Sequence, residues 1–183
     1  MKRHLFCAVA AAILFGVLPL EQLKEWEFSK DGSNWETVAV PHSYNAEDGH
    51  SPYYYRGKAT YRCDLRINAL KKTHYIFFEG AAQAAVVKVN GEQVASHKGG
   101  YTPFSVNITE ALRKGVNRIE VICDNSEDVD MIPVSSDFNK NGGLHNPVWL
   151  LVMEDVYFSP EDYGIYRLRC ETPEVTKKKV VTN

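Results

Sequence analysis

The sequence predicts an all-β protein, a sandwich or jelly roll of antiparallel strands, and three observations predict it. About nine short runs rich in Val, Ile, Phe and Tyr recur along the chain, punctuated by Gly, Pro, Asn and Asp where turns are needed. No stretch of useful length carries the apolar period of an amphipathic helix. Residues 86–107, VVKVNGEQVASHKGGYTPFSVN, set Asn90-Gly91 between two alternating runs, with a third run after Gly99-Gly100. Asn and Gly both accept positive φ, as a two-residue hairpin turn requires, so this segment reads as a meander with Val87 and Val89 on one face.

Met1-Lys2-Arg3-His4 and the apolar run over residues 5–20 have the charged start and length of a secretory leader. Residues 1–22 are therefore expected to direct export to the periplasm or cell exterior, although no small-x-small cleavage triplet follows the run. Trp26-Glu27-Phe28 and residues 34–40 flank the turn at 29–33, which suits a hairpin closed by Pro41. Residues 42–52 are polar and contain Gly and Pro, so they read as a long loop, the kind of segment on which a rigid sheet holds ligands. The aromatic run 53–65 is the next strand, and its alternation sends some of its tyrosines into the core. Residues 73–79 form another strand, ended by Gly80; the meander and the run 118–123 follow. Residues 124–146 are the longest stretch without a strand and a candidate binding loop, and the apolar runs 147–153 and 156–158 come after it. The tail holds two strand-like pieces, YRLRC and KKVVT, too little for a domain of its own.

The 183 residues, 44% hydrophobic and 24% charged, suffice for one domain with a sizeable core. A formal net charge of −2, with a single basic run at 177–179, supplies no field for a phosphate backbone and argues against nucleic acid as a partner. Leader removal leaves Cys63, Cys123 and Cys170, an odd number without C-x-x-C spacing; buried thiols fit better than a disulfide framework or a zinc site. His42, His50, His74, His97 and His145 have no metal-ligand spacing, and Asp124, Glu127, Asp128 and Asp130 lack the calcium-loop pattern and read as a solvated acidic loop. No metal and no cofactor are expected.

An ordered set of motifs resembles the N-terminal sugar-binding domain of glycoside hydrolase family 2. It comprises Trp35 with Val40-Pro41-His42, then Tyr54-Tyr55-Arg56-Gly57, Val89-Asn90-Gly91 with Gly99-Gly100-Tyr101, Gly115-Val116-Asn117-Arg118-Ile119, and finally Ser136-Asp137-Phe138 with Gly142-Gly143-Leu144. The resemblance implies a galactose-binding-domain-like jelly roll over residues 23–158, followed at 159–183 by a linker and the truncated start of an immunoglobulin-like domain. It also implies a catalytic (β/α)8 barrel, which takes about 250 residues and carries the paired carboxyl groups of the retaining mechanism. The chain alone is thus expected to recognise sugar without hydrolysing it.

In the family's β-galactosidases, the Asp of the loop matched by Asp137 contacts the terminal sugar. A carboxylate suits that task because it accepts hydrogen bonds from neighbouring hydroxyls; the alternative is an Asp that caps a turn. Arg56 stands closest to a second pocket position and could equally pair with a sheet carboxylate, and Asn45 and Asp48 are further substrate-binding candidates. Tyr53, Tyr54 and Tyr55 either stack on a sugar or pack in the core. The sequence departs from the family at Gly142-Gly143-Leu144-His145, where Asn146 and Pro147 follow in place of the usual Arg, so a buried ion pair or an inter-domain contact should be lost and the loop be less rigid. The expected partners are a carbohydrate such as a terminal β-galactoside, the barrel and the immunoglobulin-like domain, with no membrane contact once the leader is gone. A free-standing carbohydrate-binding module and a protein-interaction sandwich remain as alternatives.

Overall fold

A computed structural model describes residues 17–48, 54–130, 140–161, 174–175 and 180–181. Its strands are β1 (Val17–Gln22), β2 (Glu25–Ser29), β3 (Glu36–Ala39), β4 (Lys58–Ile67), β5 (Thr73–Phe78), β6 (Ala84–Val89), β7 (Glu92–Lys98), β8 (Phe104–Asn107), β9 (Gly115–Asp124), β10 (Val148–Met153), β11 (Glu174–Val175) and β12 (Val180–Val181). One sheet has the order β1-β10-β5-β8 and a second β3-β2-β4-β9-β6-β7, with all pairings antiparallel. The core between them takes Phe28, Tyr61, Val87, Val89, Ile119 and Val121 from the larger sheet and Ile76, Phe78, Phe104, Val106 and Leu150 from the smaller. Strand alternation produces this layer, and each fully buried Val or Ile side chain in it contributes roughly 1.5–3 kcal/mol of transfer free energy.

The smaller sheet is apolar on its outer face as well. Tyr75, Leu151 and Met153 are buried there, and Phe77, Trp149 and Tyr157 pack against them. The chain beyond β10 lies along this face: the Tyr75 hydroxyl donates to Glu161 Oε1 at 2.9 Å, and Ser105 Oγ donates to the Pro160 carbonyl.

Three expectations are corrected. The meander is two strands, not three. β6 is flanked by β7 and β9, whereas β8 crosses to pair with β5. A third strand beside the largely exposed β7 would leave Phe104 and Val106 in water; in the other sheet Phe104 stacks on Phe78 with ring centroids 4.6 Å apart. The crossing occurs at Gly99-Gly100, where φ is +126° at Gly99 and a Cβ on Gly100 would meet the backbone of Ala82 and Gln83 at 3.2 Å.

The aromatic run does not begin as strand. Residues 54–57 belong to the preceding loop, and β4 starts at Lys58 because Gly57 bonds Asn125 instead of a ladder neighbour. Tyr54 and Tyr55 are half-buried at the rim, while Tyr44 and Tyr61 are buried between the sheets; Tyr53 lies outside the described residues.

Residues 17–22, drawn as the end of the leader, form edge strand β1 on β10, with a register irregularity between Leu18 and Glu21 where Pro19 has no N–H to donate. A short apolar run beside a charged start carries no period that separates leader from strand. Residues 1–16 lie outside the described residues. In the tail, β11 and β12 pair antiparallel, Glu174 with Val181 and Val175 with Val180; YRLRC lies outside the described residues.

Gly142 to Asn146 is hydrogen-bonded on both sides. His42 N–H donates to Leu144 O at 2.7 Å, Tyr44 N–H to Gly142 O at 3.0 Å, Ala82 N–H to Gly143 O at 3.0 Å, and Asn146 Nδ2 to Glu79 O at 3.2 Å. Cys63 and Cys123 are free thiols; burial pushes Cys63 up to about 12 and raises Cys123 as well. Among the described residues no helix is long and apolar enough to cross a membrane, and no group of three His, Cys, Asp or Glu side chains is placed to hold a metal ion.

Candidate functional site

The two loops singled out by composition meet. The β3–β4 connection contains a 3-10 turn, Ala46–Asp48, and the β9–β10 connection leaves the sheet at Asp124 and re-enters at Val148. Two buried asparagines join them. Asn45, 1% exposed, donates from Nδ2 to Lys140 O at 2.7 Å and accepts at Oδ1 from Gly142 N–H at 2.9 Å. Asn125, fully buried, donates to the carbonyls of Tyr55 at 3.1 Å and Lys140 at 3.2 Å and accepts from Gly57 N–H at 2.8 Å. A primary amide offers a donor and an acceptor on one plane, so it can substitute for a peptide unit where no strand is available. Unpaired, these backbone groups would each cost about 1–3 kcal/mol in the interior.

Tyrosines complete the joint. Tyr44 hydroxyl donates to Gly57 O at 2.9 Å, and its ring fills the space a Cβ on Gly142 would need, at 2.2 Å. Tyr61 hydroxyl meets His42 Nδ1 at 2.8 Å and occupies the place of a Gly143 Cβ at 2.3 Å. Both phenols are held far above their ordinary range by burial, and burial lowers the His42 pKa, keeping that imidazole neutral. Gly142-Gly143 is therefore required by side-chain packing, from Tyr44 of the opposite loop and from Tyr61 of β4, a reason its sequence motif alone does not reveal.

The four sequence-predicted site residues fare differently. Asn45 is turned into the protein and bonds backbone on both sides; its amide positions the loops rather than facing a ligand. Asp48 is half-buried, accepts from Tyr55 N–H at 3.0 Å and lines a cavity. Arg56 pairs with Glu127, a carboxylate of the β9–β10 loop and not of the sheet as its alternative had it, and also donates to Tyr54 hydroxyl while lying over that ring, 4.6 Å from its centroid. Asp137 lies outside the described residues; the segment bearing it is left at Lys140, the residue whose carbonyl Asn45 and Asn125 share. Asn125 was missed because a lone Asn after a strand reads as a turn former. The acidic stretch is partly paired: Lys98 reaches Asp128 at 2.8 Å and Asp130 at 3.5 Å.

Two adjoining cavities lie on this side of the sandwich, one of them reaching Tyr44 of the joint. One, of about 520 Å³, lies between Lys30, Glu36 and Val38 on one side and residues 41–44 and 46–48 on the other; the second, of about 340 Å³, lies by the β2–β3 turn and is lined by Asp31, Asn34 and Trp35. Phe28, Lys30 and Glu36 line both.

A β-sandwich whose long loops are fixed by buried amides beside polar, aromatic-edged cavities is a recognition domain, with no catalytic constellation among its described residues. Its kind is given by comparison: residues 18–154 match the model for the sugar binding domain of glycosyl hydrolases family 2, and the chain belongs to that family. It is 33% identical over 169 residues to a beta-galactosidase of Thermoanaerobacter pseudethanolicus, covering 87% of this chain and 22% of the relative. Against a beta-glucuronidase of Bacteroides fragilis the identity is 34% over 137 residues, covering 70% and 20%. The crystal structure of a Bacteroides uniformis beta-glucuronidase superposes with a TM-score of 0.77 at 29% identity, covering 90% of this chain and 21% of that one. The chain thus spans about a fifth of the length of these relatives.

Proposed function

We propose that the chain is the N-terminal jelly-roll, sugar-recognising part of an exported, β-galactosidase-like family 2 glycosidase. Its task is to present the Asp137 loop to a substrate pocket that a catalytic barrel completes. The observation that carries this reading is the family match over residues 18–154. The joint made by Asn45 and Asn125 at the root of the Asp137 loop supports it, since a contact in a pocket shared with another domain needs a fixed base. Asp137 accepts hydrogen bonds from sugar hydroxyls, Arg56 stands at the rim, and the ligand is a carbohydrate ending in a β-galactoside or a related sugar. An immunoglobulin-like segment links the sandwich to the barrel, and the mature protein works in the periplasm or outside the cell, away from the membrane.

The test is a chimera in which residues 17–161 replace the matching domain of the Thermoanaerobacter pseudethanolicus beta-galactosidase. It should hydrolyse p-nitrophenyl β-galactoside, and Asp137→Ala should lower kcat/KM by about 100-fold, as loss of a charged substrate contact does. An Asp137→Ala chimera as active as its parent overturns the role.

A further inference from the structure

We propose that the trough formed by the two adjoining cavities binds a neutral oligosaccharide directly. The choice of a sugar rests on the carbohydrate reading above; the site, its occupant's charge and its test do not depend on a glycosidase being rebuilt. Both cavities fall in the volume range of small-molecule sites, and because Phe28, Lys30 and Glu36 line both, an extended ligand can occupy them together.

The trough is built in advance. Asp31 Oδ1 accepts from the backbone N–H groups of Ser33 and Asn34, each at 2.8 Å, and Asp31 Oδ2 accepts from Asn34 Nδ2 at 2.6 Å. These bonds hold the carboxyl far below its ordinary range and commit it to the turn. Trp35 is fixed twice, by its Nε1–H on Gly32 O at 3.2 Å and by the Arg62 guanidinium, 3.6 Å from the ring centroid and itself anchored to Glu27 at 2.8 Å. An immobilised indole at one end of a polar trough is the surface on which the C–H face of a pyranose packs without losing side-chain entropy.

Charge selects the ligand. Away from Asp31, the lining has one ammonium, Lys30, against three carboxylates, Glu36, Glu47 and Asp48. Carboxylates accept hydrogen bonds from hydroxyls, whereas a uronate would meet the excess negative charge at close range. A neutral galactan fragment fits this pattern and an acidic one does not.

The test is an amide and indole NMR titration of the 183-residue chain with β-1,4-galactotetraose and, separately, with trigalacturonate. The tetraose should shift the Trp35 indole N–H and the Lys30, Glu36 and Glu47 amides, with trigalacturonate binding about tenfold or more weakly. Lys30→Ala and Glu36→Gln, changes at exposed positions, should each weaken the tetraose about tenfold while leaving the rest of the spectrum in place. No shift at these groups, shifts confined to residues 140–146, or equal affinity for the uronate overturns the proposal. Any of those results leaves the chimera experiment free to succeed.

Discussion

Asn45 separates two accounts of the site, so its replacement by Ala is the most informative change. A ligand-facing Asn would be removed at little cost to folding. The structure requires the opposite. With Ala at position 45, Gly142 N–H loses its side-chain acceptor inside the protein, whereas Lys140 O and Tyr55 O keep Asn125 as a donor. One orphaned buried N–H costs about 1–3 kcal/mol and the lost amide–carbonyl bond about 1 more, so about 3 kcal/mol is expected. That is a large share of the 5–15 kcal/mol typical of a domain and corresponds to a fall in Tm of roughly 10 °C. Asn125→Ala should cost about as much by orphaning Gly57 N–H. The two changes should couple, because only the double variant strips both donors from Lys140 O and Tyr55 O. Urea unfolding followed by tryptophan fluorescence measures each value. An Asn45→Ala midpoint within about 0.5 kcal/mol of the parent would refute the positioning role and return Asn45 to the list of ligand contacts.

Three further outcomes follow from the same geometry. Gly142→Ala should cost about 3 kcal/mol or more, since its Cβ meets the buried Tyr44 ring at 2.2 Å, while Gly91→Ala, with φ of +89° and open space around it, should cost about 1 kcal/mol; thermal melts of the pair decide. Burial holds both thiols protonated at neutral pH, so half-buried Cys63 and buried Cys123 should react slowly with a disulfide reagent until urea unfolds the chain, and rapid labelling of Cys123 in the native state would contradict its burial. His42 and His145 have pKa values lowered by burial, so on acidification below about 6.5 the unfolded chain takes up their protons first. Stability should therefore fall as pH drops from 7 towards 5, in a range where ordinary carboxylates stay ionised, and the fall should shrink in His42→Asn relative to its own value at pH 7.5; an unchanged slope speaks against His42.

Much of this protein was legible as sequence because the physics involved is local. Alternation in residues 84–89 and 115–124 announces strands with one buried face, Asn90-Gly91 announces a turn that needs positive φ, and of the thiols expected to be buried Cys123 is, whereas Cys63 is half-buried and Cys170 lies outside the described residues. The order of motifs likewise pointed to the family that the comparisons establish. What only the tertiary structure decided depends on partners distant in the chain. Which neighbour β8 chooses is set by where Phe104 and Val106 can be buried, not by the Gly99-Gly100 pair that precedes them. Residues 17–22 are a strand because β10 offers them a free edge. Asn45 becomes a positioning residue because residues 140 and 142, nearly a hundred positions on, present a carbonyl and an N–H to its two ends. Gly142 is a glycine because Tyr44 lies where its side chain would be. A period or a turn is written in adjacent residues, whereas the partner of a buried amide is fixed only when the chain has folded.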